Sequence, residues 1–141
     1  MSDFSAFMKE NQIKRENIKF VASKSFMKDG KPIEWEIKAI ENEENEALKK
    51  LCTRNVKVPN KPNMYVPEVD STLYVGKLAA ASTVFPNLKN AELQDNWGVK
   101  SEDALLKKML SAGEYADYCN KVYEVNGYDV DLNEKVEEAK N

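Results

Sequence analysis

Two hydrophobic periods divide this chain. Near its start, Ile18, Phe20 and Ala22 alternate with Lys19, Val21 and Ser23, and the run ends at Phe26. On the return, Ile33, Trp35, Ile37 and Ala39 alternate with Glu34, Glu36 and Lys38. Period two, with one apolar and one charged side, is the pattern of a half-buried strand. Between the runs, Met27 to Lys31 carries an Asp29-Gly30 step, where glycine supplies the positive φ of a tight hairpin. Pro32 fits as the first residue of the return strand, since it cannot donate within a ladder. The pattern predicts a β-hairpin over residues 18–40 with Trp35 on its inward side.

Helical spacing governs most of the rest. Phe4, Phe7 and Met8 predict a short helix over 3–11 behind Ser2 or Asp3, followed by a polar linker from Asn11 to Asn17. Glu41 to Thr53 reads as a helix with acids in its first turn, Lys49, Lys50 and Arg54 at its end, and Ala47, Leu48 and Leu51 as its stripe. Asn55 to Asp70 holds Pro59, Pro62 and Pro67 and is the least regular stretch, with a short strand at Met64-Tyr65-Val66. It reads either as an ordered wrapping loop or as a mobile loop for a partner.

From Ser71 onward the spacing is helical throughout. A helix from Ser71 to Thr83 shows Tyr74, Val75, Leu78 and Ala81 on one side, while Gly76, Ala79 and Ala80 allow another helix to come close. Pro86 stops it. Asn90 to Trp97 forms a short helix ended by Gly98, and Ser101 caps another with Leu105, Leu106, Met109 and Leu110 inside. Ser111 and Glu114 make a capping box for a helix whose stripe is Tyr115, Tyr118, Cys119, Val122 and Val125, stopped by Gly127. Asp131 to Asn141 is a last acidic segment with only Leu132 and Val136 to bury. The whole predicts an α+β fold: an N-terminal hairpin, open to a third strand, packed on a body of about five helices.

Length and charge narrow the function. At 141 residues the chain fits one domain, 1–141, large enough to fold without a metal or disulfide staple. A formal net charge of −3 opposes nucleic acid as the main partner. No stretch reaches the ~18 apolar residues of a membrane span. No apolar leader follows the N-terminus, and Cys52 and Cys119 lie far apart, so a reduced, cytoplasmic protein is expected.

There is no histidine. The commonest general base and the commonest metal ligand are therefore missing, and no Ser/Cys-His pair can form. Two cysteines alone cannot supply four zinc ligands. Gly76-Lys77 lacks the upstream glycine and the following Ser/Thr of a phosphate loop. The acid groups Glu41-Glu43-Glu44-Glu46 and Glu134-Glu137-Glu138 alternate with Lys and Asn as solvated helix faces do. Cys52 has Lys49, Lys50 and Arg54 nearby but no imidazole to activate it. These features predict no catalytic residue, no cofactor and no metal. Trp35 is assigned to the core; Trp97, beside Gly98, is core or an exposed anchor.

Read along its length, the chain resembles the XkdN-like family of phage tail assembly chaperones, known from phages and PBSX-type prophages. The resemblance rests on Val21-Ala22-Ser23-Lys24 to Phe26, on Gly30-Lys31-Pro32-Ile33-Glu34-Trp35-Glu36-Ile37 and on Cys52-Thr53. It continues over Gly76-Lys77-Leu78-Ala79-Ala80-Ala81-Ser82-Thr83-Val84-Phe85-Pro86-Asn87-Leu88, Ala91 to Asp95, Trp97-Gly98-Val99, Leu110 to Asp117, and Asn126 to Asp129. Gly76 to Gly98 is its most specific part.

The resemblance implies a non-enzymatic role in the host cytoplasm. Such a chaperone binds the tape measure protein, keeps it soluble while the tail tube assembles, and is absent from the mature tail. It also implies, for many phages, a frameshifted extended form that brings in the tail tube protein. The alternative is a structural minor tail or baseplate component retained in the particle. A protein that coats a long chain gains from self-association, so a homo-oligomer is expected as well. A tape measure chain is long and rich in helices, which calls for a groove between helices. The pairs around Ser71–Val84 and Ser101–Val125 are the expected groove, Pro59–Pro67 the expected flap, and Trp97 and Tyr118 the expected partner-binding residues.

Overall fold

The computed structural model describes residues 3–129. The predicted acidic segment, Asp131 to Asn141, lies outside them.

The hairpin forms, but in two pieces. Strands β1 (Ile18–Phe20) and β4 (Trp35–Ile37) pair antiparallel with Phe20 opposite Trp35 and Ile18 opposite Ile37. Further out, β2 (Met27–Lys28) pairs with β3 (Lys31–Pro32) around Asp29 and Gly30, whose φ values are 53° and 77°. Two consecutive positive φ values are those of a type I′ turn, whose twist matches the strands it joins. Residues 21–25 leave the ladder between the two pieces, while the Phe26 carbonyl still accepts from the Ile33 amide at 2.9 Å. There Ala22 and Ser23 turn into the core, and Phe26 swings over to meet the ring of Trp97 edge-on, 6.2 Å between centroids.

A third strand completes the sheet. The central helix α2 (Ser71–Ser82) ends one residue before the predicted Thr83, and β7 (Thr83–Phe85) pairs antiparallel with β4, giving the order β1-β4-β7. β-branched Thr83 and Val84 favour extension, and Pro86 pushes the residue before it out of helical space. Helical spacing extrapolated one residue too far for that reason.

Around α2 stand α1 (Asn42–Leu51), α3 (Ala91–Trp97), α4 (Glu102–Met109) and α5 (Ala112–Val125). Of these, α1 starts at Glu41 without a side-chain cap, while Asp70, Asn90 and Ser101 cap α2, α3 and α4 by accepting from the amides of Leu73, Leu93 and Ala104. Ser111 and Glu114 form the full capping box, at 2.9 and 3.3 Å. The α5 stripe faces inward as predicted, and Tyr118 and Val122 are among its fully buried side chains. Trp35, Ile37, Leu78, Leu105, Leu106 and Tyr118 make the centre of the core. Burial of side chains this large contributes roughly 1.5–3 kcal/mol each.

Two expected elements differ. Residues 3–11 form two 3-10 turns, Asp3–Phe7 and Lys9–Asn11, with Phe4 and Phe7 exposed. A segment this short needs packing to hold an α-helix, and its phenylalanines rest on nothing among the described residues. Asn55 to Asp70 is not a loop. It belongs to a regular antiparallel hairpin, β5 (Thr53–Lys57) with β6 (Tyr65–Val69), which runs directly out of α1. Its prolines fall at the tip and at one outward-facing position, where a ladder tolerates them.

Candidate functional site

The expected groove between α2 and the later helices is closed. A methyl built on Gly76 would come to 3.1 Å from the Tyr115 hydroxyl of α5 and 3.6 Å from Asp103 of α4. The small residues of α2 do admit close neighbours, as the sequence indicated, and that closeness leaves no space for a partner. Asp103 is buried there and takes an ion pair from Lys77 at 2.8 Å. Burial alone pushes its carboxyl up. The Lys77 ammonium, its own backbone amide and the Ser101 hydroxyl outweigh that and hold it below the usual carboxylate range.

The open concavity lies on the opposite flank of α2, against α1. Helix α1 turns Asn45, Leu48 and Cys52 inward, and leaves Ala47 exposed and Leu51 64% exposed. The predicted stripe was one position out of phase. Asn45 explains why: its side chain accepts a hydrogen bond from the Tyr74 hydroxyl, so a polar residue holds an inward position. Two adjoining depressions of about 370 and 350 Å³ lie here, and Leu51 consequently stands at the edge of the second. Leu48, Ala80 and Ala81 floor both of them. Lys38 and Lys89 edge the first, and Lys77 and Lys100 the second. Glu102 reaches both, and Glu44 the first. Lys38, Lys89 and Lys100 make no ion pair among the described residues. The result is a trough whose small apolar floor lies among Thr83, Asn87, Gln94 and Ser101 under a mainly basic rim.

The two expected contact residues part company. Tyr118 is wholly buried, packed edge-on against Trp35 at 5.3 Å and hydrogen-bonded to Thr83 at 2.6 Å. Its hydroxyl pKa is pushed up by burial. It has no surface from which to touch a partner, because the α5 stripe that carries it is the one that covers the sheet. Trp97 is half-buried against Phe26 and keeps part of its ring open. The trough residues themselves went unnoticed in the sequence, since small alanines and a phase-shifted leucine carry no motif.

The cysteines are chemically quiet. Both are free and buried, and burial pushes both thiols up. That is the reverse of an activated nucleophile. No three His, Cys, Asp or Glu side chains gather into a metal donor set among the described residues, and no described helix is long and apolar enough to cross a membrane.

Residues 4–140 match the phage XkdN-like tail assembly chaperone proteins. The chain belongs to that family. Similar proteins include the phage-like element PBSX protein XkdN of Bacillus subtilis (strain 168), 35% identical over 143 residues, spanning 99% of this chain and 94% of the relative. The uncharacterized protein YqbN of the same strain is 36% identical over 143 residues, spanning 99% and 93%. The crystal structure of YqbN superposes with a TM-score of 0.77 at 30% identity, covering 92% of this chain and 99% of that one. The XkdN-like fold is thus this three-stranded sheet on a helical body, and the family's role is in phage tail assembly.

Proposed function

We propose that this tail assembly chaperone acts without enzymatic chemistry, by binding the tape measure protein and keeping it soluble in the host cytoplasm while the tube assembles. The observation that carries the reading is the trough. Its floor of Leu48, Ala80 and Ala81, with Leu51 at one edge, suits the apolar face of an amphipathic helix, and its lysines suit acidic residues flanking that face. A long helical chain offers such faces repeatedly, so weak sites in series hold it strongly. The open part of Trp97 is a second contact; Tyr118 serves only as the support beneath β7. Membership of the tail assembly family supports the partner class. A frameshifted longer form would add a tail tube contact to the same chain.

The test is co-expression with the tape measure protein of the same gene cluster, followed by size-exclusion chromatography with light scattering. A soluble complex is expected, lost when this chain is omitted and weakened in Ala81→Glu with its circular dichroism unchanged. A tape measure protein that stays insoluble with or without this chain overturns the proposal. So does finding the chain in stoichiometric amount in purified mature tails, which is the signature of a retained structural component.

A further inference from the structure

The β5–β6 arm has one closed edge and one open edge, and the ladder says which is which. The Asp70 amide donates to the Cys52 carbonyl at 2.8 Å, and the Val58 amide donates to the Met64 carbonyl at 2.9 Å. Hydrogen-bonded and non-bonded pairs alternate in an antiparallel ladder. The pairs Thr53–Val69, Asn55–Pro67 and Lys57–Tyr65 are therefore the non-bonded ones, with their backbone groups turned outward. On β6 the middle outward residue is Pro67, which has no N–H. That edge is closed to a further strand. On β5 the outward residues Thr53, Asn55 and Lys57 are all exposed and all carry a donor and an acceptor.

An isolated two-stranded hairpin is marginal in water, and this one has a wet face on both sides. Val56, Val58, Met64 and Val66 share one face by register, and Met64 and Val66 are 47% and 46% exposed. We infer that the occupant of the open edge is a second copy of this chain: two β5 strands pair antiparallel about a two-fold axis at Asn55, making a four-stranded sheet with both Pro67 edges outermost. The interface is isologous. Its charges agree with that register. Asn55 faces Asn55, Thr53 faces Lys57, and Arg54 faces Val56, so no like charges stand opposite. Centring the axis on Lys57 instead would set two ammonium groups against each other. The same register continues to set the second copy's Val58 opposite Cys52, beside the exposed Leu51 that its own chain leaves uncovered. None of this depends on what the trough binds.

The experiment is sedimentation equilibrium of the full chain over a range of concentrations. A reversible dimer is expected. Asn55→Pro removes the central outward donor, which the hairpin itself does not use, and should give a monomer. Asn55→Asp and Asn55→Lys each place like charges across the axis and should weaken the dimer about fivefold. An equimolar mixture of those two variants should restore it as a heterodimer, whatever the proline does to the strand. A wild-type chain that is monomeric up to about 1 mM overturns the inference. So does a dimer that the aspartate and lysine variants leave unchanged, or a mixture that fails to recover.

Discussion

Gly76 of α2 sits directly beneath the Tyr115 hydroxyl of α5, so close that a single added methyl would lie 3.1 Å from that oxygen. The hydroxyl is buried and has no hydrogen-bond partner of ordinary geometry among the described residues. Gly76→Val adds methyls toward Asp103 and Lys107, both already 3.6 Å from the Cβ position, and should cost about 1–3 kcal/mol in urea unfolding. Tyr115→Phe removes an oxygen whose interaction with the Cys119 thiol is weak, and should be near neutral. In that background Gly76→Ala meets no obstacle and should gain up to about 1 kcal/mol of helix propensity. Independent effects in the double-mutant cycle would refute the contact.

Asn126, the C-cap of α5, ties three elements together. Its Oδ1 accepts from the Ile40 amide at 2.8 Å, and its Nδ2 donates to the Ser82 hydroxyl at 3.0 Å and the Val122 carbonyl at 2.9 Å. Ser82 is wholly buried. Asn126→Ala leaves an amide and a hydroxyl short of partners and should destabilise by about 2 kcal/mol or more. Asn126→Asp keeps the acceptor for Ile40 but sets a carboxylate against the Val122 carbonyl at the negative end of α5, so it should cost at least as much as alanine at neutral pH. The same urea midpoints, repeated at a pH low enough to protonate the new carboxyl, should show part of that loss recovered.

How much of this was legible depends on whether a feature is local. The hairpin turn, the caps and the α5 stripe are written in consecutive residues, so Asp29-Gly30, Ser111-Glu114 and Tyr115 to Val125 all read correctly. The phase of α1 is not local. Asn45 turns inward because Tyr74, far along the chain, meets it, and no count of apolar residues within α1 contains that. The β5–β6 arm was missed for the opposite reason. Its prolines look like strand breakers until the register shows that Pro67 occupies a position where no ladder donor is required. The trough inherits both gaps, since α1 forms one wall and leads into the arm.

Stability should be flat between about pH 5 and 8, because no histidine titrates there. Hydrogen bonds from Lys19 and Asn17 hold the Glu36 carboxyl low, and the Ser111 amide does the same for Glu114. With Asp103 also lowered, these groups contribute stability above their unfolded values of about 4, lost as pH falls through the lower folded ones. Cys52, Cys119 and Tyr118 are shifted upward by burial. Their unfolded forms ionise from about pH 8.5 for cysteine and 10 for tyrosine, so stability should decline again above that range. Urea midpoints across the pH range check the shape, and Asp103→Asn should flatten the acid limb. A step near pH 6.5 would contradict the account.

Two glycines with open space around them should respond in opposite directions. At Gly30 the backbone has φ 77° and nothing lies within 4 Å of a Cβ, so alanine meets only conformational strain. Gly30→Ala should cost about 1–2 kcal/mol, felt first in faster amide exchange of β2 and β3. Gly113 stands in the first turn of α5 with ordinary backbone and equally open surroundings. Gly113→Ala should raise stability by about 0.5–1 kcal/mol. Equal effects of the two substitutions on Tm would show that the turn is not the type I′ that its φ values describe.

The proposed function assigns Tyr118 to support and Trp97 to contact. The Thr83 hydroxyl donates its proton to the Ala79 carbonyl at 2.8 Å and accepts from the Tyr118 hydroxyl, so loss of the phenol leaves the Thr83 proton bonded and deprives only its lone pair of a donor. Tyr118→Phe should therefore cost only about 0.5–1.5 kcal/mol and leave capture of the tape measure protein unchanged. Trp97→Ala removes a half-buried ring that meets Phe26 edge-on and packs against the core. It should lower stability modestly and weaken capture by several-fold more than that stability loss explains, since half-covered tryptophans are strong interface anchors. Pull-down at a temperature where both variants stay folded distinguishes the two roles. Capture lost in Tyr118→Phe and kept in Trp97→Ala would reverse the assignment, and would mean that the sheet opens to expose the α5 stripe when the partner binds.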